Sequence, residues 1–104
     1  MKLVTKTMEK TFAKYPLYSQ DGKGNDSQVI AKFFSPVGSA TWYVTEAEKQ
    51  DDGDWLFFGF YRDGYNDEFG YFMLSQLEEV KLPFGLKIER DLYAELTTLG
   101  KMLL

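Results

Sequence analysis

The sequence predicts a single α+β domain: an antiparallel sheet of about four or five strands, an N-terminal helix, and short helices after the fourth strand and at the C-terminus. Three observations carry this prediction. Between Gln28 and Leu74, β-branched and aromatic residues recur in short runs broken by Gly, Pro and Asp turns, which is strand patterning. Apolar residues at helical spacing occur near the two ends of the chain and just beyond Leu74. The 104 residues are enough for one hydrophobic core and too few for two, so the domain spans 1–104.

From about Thr5 to Lys14, Met8, Thr11 and Phe12 share one face of a short amphipathic helix. Thr5 or Thr7 caps it, and Tyr15, forced out of the helical region by Pro16, ends it. Residues 19–27 are nearly all turn formers and make a loop. Val29, Ile30, Phe33 and Phe34 form a first strand that stops at Ser35-Pro36. Thr41 to Glu46 form a second, across a link short enough for a hairpin. After the Asp51-Asp52-Gly53 turn, Asp54 to Arg62 reads as the central strand, because both alternating faces are apolar: Trp55, Phe57 and Tyr61 on one, Leu56, Phe58 and Phe60 on the other. Gly59 inside it signals a bulge or the close approach of another backbone. A loop at Asp63 to Asp67 leads to a fourth strand near Glu68 to Leu74. Ser75 with Glu78 makes a capping box for a helix from Gln76 to about Lys81, which Pro83 and Gly85 end. Leu86 to Tyr93 returns as an edge strand, and Thr97 caps a last helical turn that folds Leu99, Met102 and Leu103 onto the core.

Composition excludes more than it assigns. Cysteine and histidine are both absent, so disulfides, thiolate nucleophiles, Ser-His-Asp constellations and zinc sites with N or S ligands are unavailable. No cofactor, metal site or catalytic residue is expected. Residues 1–20 lack the apolar core of a signal peptide, and the Trp55–Tyr61 run is too short to span a bilayer, so a cytoplasmic protein without a membrane partner is the expectation. The charge is uneven: residues 1–45 carry a net +3, residues 46–68 a net −6, and the remainder −1. Such a chain is a poor ligand for phosphate backbones and a better one for a basic protein surface.

The loop Asp21-Gly22-Lys23-Gly24-Asn25-Asp26 does not make a phosphate cradle, since a strand follows it rather than a helix. Nor does it make an EF-hand, since Lys23 takes the third ligand position. The carboxylates Asp51, Asp52 and Asp54 flank one end of the Trp55–Tyr61 strand and Asp63, Asp67 and Glu68 the other, roughly 30 Å apart at about 3.3 Å per residue. One catalytic pair spanning both is therefore excluded. Aromatics make 17% of the chain, more than one core readily holds, and Tyr43, Tyr61, Tyr65 and Tyr71 are the ones whose polar tips suit an interface.

The strings Pro16-Leu17-Tyr18-Ser19-Gln20-Asp21-Gly22-Lys23-Gly24, Lys32-Phe33-Phe34-Ser35-Pro36, Thr41-Trp42-Tyr43-Val44-Thr45-Glu46, Phe57-Phe58-Gly59, Phe69-Gly70-Tyr71-Phe72 and Ile88-Glu89-Arg90-Asp91-Leu92-Tyr93 together resemble a family of small plasmid- and phage-borne bacterial proteins classed as a domain of unknown function. The resemblance brings no catalytic residues. It implies accessory cargo of a mobile element, and by analogy an inhibitor of host defence of the anti-CRISPR type.

The expected function is thus a non-enzymatic acidic binding protein. The acidic block from Glu46 to Glu68 would dock on a protein with a basic surface, a CRISPR nuclease among the candidates, without contacting nucleic acid directly. The partner-binding residues expected are Asp51, Asp52, Asp54, Trp55, Asp63, Tyr65, Asp67 and Glu68, with Trp55 the aromatic anchor of the first turn and Tyr65 that of the second. The alternative is a small-molecule or peptide-binding module, for which a pocket lined by Trp42, Tyr43 and Trp55 would speak.

Overall fold

A computed structural model describes all 104 residues. Its centre is a five-stranded antiparallel sheet in the order β4-β3-β2-β1-β5, with β1 at Ala31–Phe34, β2 at Thr41–Lys49, β3 at Trp55–Arg62, β4 at Asp67–Met73 and β5 at Glu89–Arg90. β1 to β4 follow one another as hairpins, and the chain returns to add β5 on the far side of β1. Helices α1 (Lys6–Phe12), α2 (Leu74–Glu79) and α3 (Leu99–Met102) complete it. The predicted fold class is the one observed. Two placements differ: β2, not β3, is the middle strand, and β5 shrinks to two residues.

Along β3 the alternation read from sequence holds. Trp55 and Phe57 point to a face that α1 covers by laying Phe12 edge-on against both rings, at centroid distances of 5.1 and 5.6 Å. Phe33, Ala47, Leu77 and Ile88 close this main core. The opposite face holds a smaller cluster in which Leu99 of α3 packs with Val29 and Tyr43. It leaves the outer half of the sheet open, with Phe69 and Tyr71 of β4 43% and 54% exposed.

The helix caps show how long-range contacts override local signals. Thr5 does cap α1, its hydroxyl accepting from the Met8 N–H at 3.3 Å. Ser75, by contrast, is not an N-cap, because α2 starts one residue before it, at Leu74, and the Gln76 side chain accepts from the Met73 N–H. Ser75 instead donates both its N–H and its hydroxyl to Asp54, across the hairpin. α3 is entered through Thr98 rather than Thr97, whose carbonyl accepts from the Val29 N–H.

Gly59 marks a bulge in the facing strand. The β2–β3 register runs Tyr43↔Phe60 and Val44↔Gly59 and then slips to Glu46↔Phe58, leaving Thr45 as the extra residue. A Cβ on Gly59 would lie 1.9 Å from the Tyr43 carbonyl oxygen. The slip turns Glu46 toward the loop at residues 15–28, which stands in for a strand along this part of β2. The Ala47 N–H donates to the Tyr15 carbonyl. The Glu46 carboxylate accepts the N–H groups of Tyr18 and Gln20 at 2.7 and 2.9 Å. The Gln20 amide in turn bonds Gln28 and the Thr45 carbonyl.

Candidate functional site

The two acidic turns prove physically different. In the first, Gly53 has a positive φ of 88°, and Asp52 accepts from the Asp54 N–H. Asp54 is committed to structure: it accepts from Trp55 and from both donors of Ser75, and the Ser75 hydroxyl is the main reason its carboxyl is held below the usual value. Trp55, only 8% exposed, is a core residue with no surface to offer a partner, because its strand position puts it under α1. Glu46, counted at sequence level with the acidic block, is 2% exposed and spends its charge on backbone donors. Of the three carboxylates of this turn, Asp51 and Asp52 remain at the surface.

In the second turn Asp63 is the organiser. One carboxylate oxygen accepts from the N–H groups of Tyr65 and Asn66 at 2.8 and 2.7 Å, an Asx turn that Gly64 permits with φ of 92°. The other accepts the Tyr61 hydroxyl at 2.9 Å, and Ser39 donates to the Asp63 carbonyl. The bonds to its carboxylate, that from the Asn66 N–H first, lower the Asp63 carboxyl below its ordinary value. The result is a fixed loop that holds Tyr65 outward, 94% exposed, with Asp67 and Glu68 exposed beside it at the start of β4. Only two ion pairs form in the whole protein, Lys32–Asp91 and Lys49–Glu9, so neither Asp67 nor Glu68 is neutralised by a partner.

Of the other tyrosines, Tyr71 is exposed, while Tyr43 is buried with its hydroxyl accepting from Arg62. β4 pairs only with β3, so its outer edge of backbone donors and acceptors is free. Sequence reasoning missed Phe69 and the glycine beside it, Gly70, because exposure depends on which strand is left at the edge.

Gly70 faces Gly59 across the β3–β4 ladder. The absence of two side chains opens a cleft of about 290 Å³ walled by Trp42, Tyr61, Glu68 and Phe72. The Trp42 and Tyr61 rings touch at a centroid distance of 5.2 Å, and beyond them lies a second hollow of about 330 Å³ toward Val80 and Leu82. The pocket expected from Trp42, Tyr43 and Trp55 does not form: Trp42 lines a cleft, but Tyr43 projects from the opposite face and Trp55 is in the core. No three carboxylates gather where they could hold a metal ion, and no helix is long and apolar enough to cross a membrane.

Neither the curated proteins nor the solved structures contain a significant match to the chain. One family model matches nearly all of it, residues 3–101. On that match the chain belongs to the family described as "Protein of unknown function (DUF2958)".

Proposed function

We propose that this protein is a non-enzymatic binding module that docks on a basic protein surface through its second acidic turn and the adjoining edge strand β4. The observation that carries the reading is the set Tyr65, Asp67, Glu68, Phe69 and Tyr71, contiguous in sequence around Asn66 and Gly70 and exposed at one end and edge of the sheet. Its carboxylates form no ion pair, its aromatics are of the type that concentrates interface energy, and its edge can accept main-chain hydrogen bonds. Unpaired carboxylates at the start of β4, beside a fixed turn, match the Lys and Arg clusters that ordinarily hold phosphates. A nucleic-acid-handling protein, such as a CRISPR nuclease of a host defence system, is therefore the partner class we propose, and inhibition by occupying its basic channel the outcome. The first acidic turn, with Asp54 and Trp55 committed to the fold, is not part of this surface.

The test is affinity capture from host lysate at low and high salt, followed by titration of the purified partner. Affinity should fall steeply with salt and on Tyr65→Ala or Asp67→Asn, and should survive Asp51→Asn with Asp52→Asn. Binding that ignores salt, or that persists in both second-turn variants, refutes the reading.

A further inference from the structure

Gly70 is an anomaly in its strand. Its backbone does not adopt the left-handed conformation that favours glycine, and a Cβ built on it meets nothing within 4 Å. Neither turn geometry nor packing calls for glycine there, although glycine weakens a strand. Gly59 opposite it is different, since the bulge requires it. The space left over Gly70 is the floor of the Trp42–Tyr61 cleft. Residues that break a local rule without a structural return mark functional positions.

The chemistry of the walls is specific. Glu68 lies directly across the ladder from Tyr61 and lines the cleft. Asp63 accepts the Tyr61 hydroxyl, which enriches the phenol ring with electron density. No lysine or arginine lines the cleft. A slot with an indole and a phenol on one side, a carboxylate at its end and a bare glycine floor attracts a cation to the ring faces while pairing its charge. The planar, weakly hydrated guanidinium satisfies both demands better than a compact ammonium, stacking on the rings and presenting two N–H groups to the carboxylate.

We infer that the Trp42–Tyr61–Glu68 cleft over Gly70 is a receptor for an arginine side chain of a protein partner. The inference deepens the docking reading above, on which the identity of the partner rests. It places the arginine within reach of the free β4 edge, so that the side chain enters the cleft while neighbouring backbone lies along the strand.

The probe is the peptide acetyl-Gly-Gly-Arg-Gly-Gly-amide, with the neutral citrulline peptide as its isostere, followed through the Trp42 indole N–H resonance, identified by its loss in Trp42→Phe, and by calorimetry. The arginine peptide should bind saturably with a dissociation constant on the order of millimolar, about tenfold more tightly than the citrulline peptide. Gly70→Val, which fills the floor, should abolish binding while the melting temperature stays level or rises. Glu68→Gln, which leaves the floor open, should reduce binding to the citrulline level. Equal binding of the two peptides, or full binding by both variants, overturns the inference. Methylguanidinium, which carries the same head group, should bind the cleft more weakly than the arginine peptide, and tighter binding of methylguanidinium overturns the inference, because the occupant would then be a free small molecule. The peptide assay needs no natural partner, so a failure of the salt-dependent capture sinks the docking reading alone. A purified partner that loses affinity for Tyr65→Ala but binds Gly70→Val unchanged would remove the cleft from the interface and leave the docking reading standing.

Discussion

Gly59 lies under the carbonyl of Tyr43 so closely that no other residue fits: a Cβ would sit 1.9 Å from that oxygen. Backbone, not a flexible side chain, is what it would strike. Gly59→Ala should therefore push β2 and β3 apart and undo the bulge at Thr45. We expect a loss of about 3 kcal/mol or more, at the upper end of overpacking penalties, measured as a lowered midpoint of urea unfolding. A midpoint within experimental error of the parent would show that the bulge relaxes freely.

The bulge also sets the direction of Glu46. Replacing this carboxylate with Gln leaves one oxygen for two backbone donors and turns an NH₂ toward the other. Glu46→Gln should cost about 2 kcal/mol, the scale of a buried hydrogen bond to a charged acceptor. Amide hydrogen exchange locates the effect: protection should fall across residues 18–28 while that of the β3–β4 ladder holds. Uniform loss across the protein would assign Glu46 a global role instead.

Asp54 makes stability depend on pH in a predictable sense. Its folded pKa is depressed, chiefly by the Ser75 hydroxyl, so its contribution is complete above the unfolded value of about 3.9 and disappears as pH falls through the folded value. Asp54→Asn should be destabilising by about 1 kcal/mol near neutrality, a figure discounted for the solvent around this half-exposed group. The difference from the parent should shrink steadily below about pH 4. An unfolding difference that stays constant from neutral to acid would show that the bonds to Ser75 do not depend on the charge.

Trp55 and Tyr65, each expected at sequence level to anchor a partner, should separate cleanly. Trp55→Ala empties the space against Phe12 and should cost about 3–5 kcal/mol, enough to threaten folding of a small domain. Tyr65→Ala should leave the thermal midpoint unchanged, since the ring touches little. A Tyr65 variant that unfolds early would mean that the ring supports its turn.

What was legible in the sequence was whatever local chemistry decides. Thr5 as a cap and Gly59 as a sign of close backbone approach both depend on near neighbours or on a single residue's conformational range, whereas α1 already ends at Phe12, ahead of the stop expected at Tyr15-Pro16. Glu46 was misplaced because a carboxylate is exposed by default, and its partners Tyr18 and Gln20 lie 28 and 26 residues away. Ser75 and Glu78 spelled a capping box, but Asp54 claimed the serine from across a hairpin. The cleft was invisible for a deeper reason. It exists only because the β3–β4 register sets Gly59 opposite Gly70, and a shift of one residue would put Phe60 or Phe58 there.

The order of the strands has a consequence for how the chain matures. β1 through β4 are joined by successive hairpins, so the four-stranded meander closes on short loops and can assemble while later residues are still being synthesised. The loop at 15–28 cannot finish with it. Its Ser27 carbonyl awaits the N–H of Leu99, and the Val29 N–H awaits the carbonyl of Thr97. Lys2 likewise awaits the guanidinium of Arg90. The segment from Arg90 to Leu99 thus latches the earlier one, and until it arrives the loop is held to β2 by Glu46, by the Gln20 amide and by the Ala47 N–H on the Tyr15 carbonyl. A nascent chain stalled before Arg90 should present a folded four-stranded sheet with a loosened loop at residues 15–28, a window in which a protease would find it.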